Sequence, residues 1–211
     1  MKTLKIPEAA IIRLSVYSLY LTQLDKKGIV TVSSGEIADG VAVSPAQVRK
    51  DLAYFGEFGT RGVGYNVKDL HRHIMKILGL NNQWSLVIVG AGNLGTALGM
   101  YRGFKERGFN VAGVFDADSR RVGQYINESL ILSMDTLAET IKEHNVNIGI
   151  ISVPAEFAQD VADKLIEAGV RGILNFAPTV VSVPLSVELR NVDLSVNLEV
   201  LTFNMALRKG K

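Results

Sequence analysis

The run Gly90-Ala91-Gly92-Asn93-Leu94-Gly95 is a G-x-G-x-x-G pattern that follows the apolar segment 86–89 and opens a helix at Asn93. Each glycine there has its own chemical reason. Gly90 makes a tight turn, Gly92 lets the backbone approach a pyrophosphate that the helix N-terminus stabilises, and Gly95 lets helix and strand pack closely. A glycine-rich turn that holds no ligand would look the same in isolation. The added weight comes from Asp116, which ends the next apolar segment 21 residues after Gly95, where a carboxylate can accept hydrogen bonds from ribose hydroxyls. A carboxylate also repels a 2′-phosphate, so NAD is expected over NADP, although Arg120 and Arg121 are near enough in sequence to bind such a phosphate.

A second group of residues suits a different chemistry. Ser44-Pro45-Ala46-Gln47 has a Ser cap, Pro at the first helical position and a Gln three residues after the Ser, which together start a helix. Arg49 and Lys50 lie on that helix, and Arg61 lies in Gly56-Glu57-Phe58-Gly59-Thr60-Arg61-Gly62-Val63-Gly64-Tyr65, whose glycines suit a hairpin wing. Side chains of such a helix read base edges in the major groove, while an Arg on a wing enters the minor groove, where negative potential concentrates. Ser44 and Gln47, in the first turn, can contact phosphate or bases. Scattered, these charges would be an ordinary solvated surface.

Groups for acid–base catalysis are harder to place. His71 and His73 fall in a helix of the first half, and His144 precedes a strand at the end opposite the expected ligand, so all three read as surface residues. The strand-end segments Ser152-Val153-Pro154 and Asn175-Phe176-Ala177-Pro178 carry few titratable groups. Such a lining favours binding over turnover, so the chain is expected not to be an enzyme.

The elements that must position these residues divide the chain of 211 residues in two. Residues 1–80 carry 11 Lys and Arg against 7 Asp and Glu, and the remainder 12 against 14, which suggests that the first part meets a polyanion. In that part, helices are expected over 7–24, from a Ser33 capping box to about Gly40, from Ser44 to about Phe55, and over 67–78, the outline of a winged helix-turn-helix. After a linker at 79–83, apolar strands at 86–89, 111–115, 148–153 and 172–174 alternate with helices from Asn93, Asp135 and Ala155. That is an α/β pattern with a parallel sheet covered on both faces. In the final helix, Leu194, Leu198, Leu201 and Met205 form one stripe, and Val196, Val200, Phe203 and Leu207 another on the opposite side. A surface helix needs one apolar face, so this one should lie between two bodies, either its own subunit and a partner or two domains.

With 47% apolar residues, 21% charged and a mean hydropathy of +0.20, disordered and fibrous classes are excluded. The absence of Cys excludes disulfides, thiolate metal sites and thiol redox switches, so a redox role requires a cofactor. No metal site is expected. No signal-peptide layout or membrane-length apolar run is present, and the expectation is a cytoplasmic protein without membrane association.

These residues resemble the Rex-type redox-sensing transcriptional repressors, a family with a winged-helix domain followed by a Rossmann domain. The resemblance rests on Val48-Arg49-Lys50-Asp51-Leu52-Ala53-Tyr54-Phe55-Gly56, on Gly59-Thr60-Arg61-Gly62-Val63-Gly64-Tyr65-Asn66-Val67 and on the fingerprint at 90–95, and it spans nearly the whole chain. It implies a homodimer that binds palindromic operator DNA when NADH is scarce and releases it when NADH binds. It also implies domains at 1–80 and 81–193 and a C-terminal helix at 194–211 exchanged between subunits. Three further positions carry over as a switch: Arg13 in the first helix, Tyr101 in the helix after the fingerprint, and Asp193 before the last helix. Arg102 stands where many members have proline, and Leu194 where some have an aromatic residue. The expected cofactor contacts are therefore residues 90–95, Tyr101, Asp116, Val153, Pro154, Asn175, Phe176 and Asp193. An NAD-dependent oxidoreductase with an accessory helical domain is the alternative, and a nicotinamide-regulated scaffold whose basic domain binds protein is a third reading.

Overall fold

The computed structural model describes residues 6–60, 62–127 and 129–209. It divides into two compact units, Met1–Asn82 and Gln83–Lys211.

In the first unit, α1 (Glu8–Lys26) buries Leu14, Tyr17, Leu21 and Leu24, one face at three- and four-residue spacing. After β1 (Thr31–Val32), α2 (Ser34–Val41) opens with the expected reciprocal cap. The Glu36 amide donates to Ser33 Oγ at 3.1 Å, and the Ser33 amide to Glu36 Oε2 at 2.7 Å. In α3 (Pro45–Ala53), Ser44 Oγ accepts the Gln47 amide at 3.1 Å, but the Gln47 side chain turns instead to Asp51. β2 (Tyr65–Asn66) pairs antiparallel with β1, and Thr60 and Gly64 exchange two backbone hydrogen bonds at the hairpin before it. α4 (Val67–Ile77), capped by Asn66, completes a core around Leu14, Tyr17, Ile37, Val48, Leu52 and Ile74.

The second unit is built on a seven-stranded sheet. In chain order its elements are β3 (Trp84–Val89), α5 (Asn93–Gly99), α6 (Arg102–Glu106), β4 (Phe109–Asp116), β5 (Tyr125–Ile126), β6 (Ser129–Ser133), α7 (Leu137–Glu143), β7 (Ile148–Ile151), α8 (Ala158–Glu167), β8 (Gly172–Asn175), β9 (Glu188–Asn191) and α9 (Leu194–Lys209). The strand order is β5-β6-β4-β3-β7-β8-β9, parallel except for the β5–β6 hairpin. β3 is where the order reverses, the place where open parallel sheets bind ligands at their C-terminal edge. Val87 and Val89 pack into one core with Phe115, Ile151 and Leu165, while Leu86 and Ile88 pack into another with Val114 and Ile150. Both sheet faces are therefore buried, as continuous apolar strands require.

Three expectations need revision. The helix after the fingerprint breaks in two, so Tyr101 is the N-cap of α6 and not a residue inside a helix. Gly99 is a weak helix former at the break, and the Tyr101 ring packs edge-on against Phe104, which holds the new turn. The helices expected from Asp135 and Ala155 begin as 3-10 turns at Met134–Thr136 and Ala155–Phe157. The strands β5, β6 and β9 were not expected, being short, at or near the sheet edge, and with half or more of their residues exposed or partly so.

Candidate functional site

Gly90 ends β3 at φ +101, its amide donates to the Phe115 carbonyl at 2.8 Å, and an added Cβ would lie 2.5 Å from the Ser152 carbonyl oxygen. Only glycine suits that corner. A Cβ on Gly95 would overlap the Gly90 carbonyl oxygen, so the turn and α5 pack as closely as the pattern implies. Gly92 is the N-cap of α5 and has open space where a side chain would stand.

A cavity of about 510 Å³ lies over this corner, lined by Gly90, Gly92, Asp116, Val153 and Pro154 among the expected residues. Asp116, at the end of β4, accepts the Ala91 amide on Oδ2 at 2.7 Å and the Asp118 amide on Oδ1 at 2.8 Å. It thereby ties the fingerprint to the neighbouring strand, and two of its roughly four acceptor positions remain for other donors. Arg121 lines the cavity and donates to the Ala91 carbonyl at 2.5 Å. Arg120 instead pairs with Asp118 at 2.8 Å. The hydrogen bonds from Arg120 bring the Asp118 carboxyl down to about 2. Asp118 beyond β4, Met134 beyond β6, and Phe157, Asp160 and Lys164 before and along α8 complete the wall and were missed by sequence reasoning, while Arg121 and Ser152 come from segments it had singled out. Asp118 and Met134 stand just past strand ends, and Asp160 and Lys164 one turn apart on α8, positions that the fingerprint alone does not reveal.

The remaining expected cofactor residues lie elsewhere. Ala91 is buried and acts through its backbone, while Asn93 and Leu94 form the exposed first turn of α5. Asn175 is completely buried, donates to the Thr179 carbonyl and Asn191 Oδ1, both at 2.9 Å, and accepts the Ala177 amide at 2.9 Å, so its amide shapes the loop after β8. Phe176 is half-buried against the core beside Leu174. Asp193 is exposed and caps α9 by accepting the Ser195 amide at 2.8 Å. On α9 every residue from 194 to 207 is exposed, the two apolar stripes included.

In the first unit, Ser44, Arg49 and Lys50 are exposed and Gln47 is half-exposed. Arg49 Nη1 donates to Ser34 Oγ at 2.9 Å, which joins α3 to the start of α2. Arg61 lies outside the described residues. Arg13 is engaged within the first unit. Its Nε and Nη2 grip both oxygens of Asp51 at 2.6 and 2.7 Å, because a carboxylate with no exposed surface needs a counter-charge. Asp51 also accepts from Tyr17 Oη and from Gln47 Nε2, each at 2.8 Å. Burial pushes the Asp51 carboxyl up, but the bonds from Arg13, Tyr17 and Gln47 outweigh it and hold the group below its ordinary range. Of the histidines, His71 is half-buried with Nε2 3.1 Å from Thr22 Oγ1, unlike the surface position expected of it. Among the described residues no group of three His, Asp or Glu could hold a metal, and no helix is long and apolar enough to cross a membrane.

Two family models match the chain, the CoA binding domain over residues 81–179 and the putative DNA-binding protein N-terminus over residues 5–53. The redox-sensing transcriptional repressor Rex of Desulfitobacterium hafniense is 67% identical over 210 residues, covering 100% of both chains. A crystal structure of RSP in complex with β-NAD+ and operator DNA superimposes with a TM-score of 0.90 at 38% identity, over 97% of this chain and 94% of that one. RSP in complex with β-NADH matches with a TM-score of 0.87 at 36% identity, over 97% and 96%.

Proposed function

We propose that this chain, which belongs to the Rex family of redox-sensing transcriptional repressors, binds operator DNA through its first unit and releases it when NADH binds in its second. The observation that carries the reading is the corner of Gly90, Gly92 and Gly95 beneath a cavity whose edge is Asp116. The fit is chemical. Gly92 offers unobstructed backbone at the start of α5, and Asp116 keeps acceptor capacity for ribose hydroxyls.

The cofactor supplies a ring that is cationic in NAD+ and neutral in NADH. Val153 and Pro154, at the end of β7, favour the neutral form, since a buried cation without a counter-charge is costly. Asp116 disfavours a 2′-phosphate, while Arg121 is already engaged with the Ala91 carbonyl. Ser44, at the cap of α3, and Gln47, Arg49 and Lys50 on it meet the DNA. The relatives are repressors by name, so the chain is read as a regulator and not an enzyme.

Two copies make the active form. The exposed stripes of α9, with Leu198 and Phe203 both at 63%, are covered by the second subunit in an exchanged arrangement. The switch runs through Arg13, held by Asp51 in the first unit, Tyr101, exposed at the break between α5 and α6, and Asp193 at the cap of α9. Each ligand must bind the two dimer geometries unequally to shift their populations. Calorimetric titration with NADH, NADPH and coenzyme A tests the site. NADH is expected to bind most tightly, and equal affinity for all three would contradict it.

A further inference from the structure

The geometry points to Asp51 as a positioning residue that orients the Gln47 side chain on α3 for reading DNA, with Arg13 and Tyr17 as its anchors. The inference rests on the reading that α3 meets DNA. Gln47 and Asp51 stand one turn apart on α3, and Gln47 Nε2 donates to Asp51 Oδ1 at 2.8 Å. An ionised carboxylate only accepts, so the Gln47 amide nitrogen must face inward, and its oxygen is left for the outside. Gln47 is half-exposed and Asp51 engages only its nitrogen, so its oxygen is free to accept from a base, beside the second Nε2 hydrogen. The bases whose major-groove edges donate are adenine and cytosine.

Asp51 can hold that orientation because it is itself fixed from another helix. Arg13 binds both its oxygens and Tyr17 Oη binds Oδ2 at 2.8 Å, each reaching across from α1. Val48 and Leu52, buried on the same face, seat α3 beside it. A bidentate Arg–carboxylate pair restricts both groups in plane and direction. The buried pair therefore sets the angle of α3 to α1 and the rotamer of a side chain at the outer surface.

The test is selection of binding sites from a random-sequence duplex pool by the full-length protein. Wild-type protein is expected to enrich one base pair at one position of each half-site, the pair whose adenine or cytosine amino group meets the Gln47 oxygen. Asp51→Asn, which keeps size but removes the charge, should relax that position by about tenfold while its affinity for unselected duplex stays unchanged. Gln47→Met should relax the same position. If Asp51→Asn does not fold, Arg13→Met/Asp51→Leu replaces the whole pair with apolar groups of similar size and should show the same loss. Wild-type preferences at every position in a folded variant of either kind, or an equal fall in affinity for all sequences, would overturn the positioning role. Failure of the wild-type protein to enrich any sequence would overturn the DNA-reading assignment, and this role with it.

Discussion

Arg13 and Asp51, 38 residues apart, form a two-point ion pair at 2.6 and 2.7 Å that joins α1 to α3 across the core of the first unit. Asp51 has no exposed surface, so removing Arg13 leaves a buried charge. Arg13→Ala should therefore destabilise the protein by about 3–5 kcal/mol, read as the shift of the urea midpoint. Arg13→Met/Asp51→Leu should recover most of that loss. A midpoint unchanged by Arg13→Ala would show the pair to be structurally idle.

The same pair fixes the sign of a pH effect. The Asp51 carboxyl is lowered in the folded protein, so its contribution is complete above the ordinary carboxyl value of about 3.9 and is lost as pH falls through the depressed native value. Wild-type stability should drop in that acid window more steeply than that of Arg13→Met/Asp51→Leu. Parallel acid profiles would contradict the assignment.

Gly95→Ala places a methyl group on the Gly90 carbonyl oxygen. The corner must open to accept it, so NADH affinity should fall by an order of magnitude or more, while operator binding without NADH persists if the sheet holds. Paired titration and mobility-shift measurements separate the two effects.

Asp116→Ala should narrow the preference for NADH over NADPH by weakening ribose recognition and relieving repulsion of the 2′-phosphate. Asp116 also binds the Ala91 and Asp118 amides, so Asp116→Asn is the milder companion. Equal NADH and NADPH affinity in the wild-type protein would remove the residue from the site.

How far these roles could be read from sequence differs by residue. The capped starts of α2 and α3 and the turn and packing roles of Gly90 and Gly95 were legible because each is a local rule acting within a few residues. Asp51 was not, since in Arg49-Lys50-Asp51 it looks like one more surface charge; its signal was its place three residues after Val48 and beside Leu52, on the apolar face of α3. The part Asn175 plays in its loop was hidden for the converse reason. At a strand end it resembles a ligand contact, but its amide is consumed by a loop whose path depends on β9, a strand too exposed to show an apolar pattern. The break at Tyr101 depended on ring packing against Phe104, which helical periodicity does not report.

Truncation before Leu194 removes both apolar stripes of α9. Under the proposed exchange these stripes fill surfaces of a second copy, so the shortened chain should aggregate or unfold. Sedimentation showing a folded, soluble monomer would contradict the exchange.

Tyr101→Phe separates sensing from binding. It should leave much of the NADH affinity intact and blunt NADH-driven release of DNA. Arg13→Ala is unsuited as its partner test, because Arg13 already carries the Asp51 pair. Normal release by Tyr101→Phe would take the tyrosine out of the switch.

The most direct measurement is a mobility shift of the full-length protein on its selected duplex, titrated with NADH at a fixed concentration of NAD+ and constant salt. The account predicts a retarded complex without NADH that is lost as NADH rises, with NADPH far less effective. A complex whose affinity is the same at every NADH concentration would contradict it.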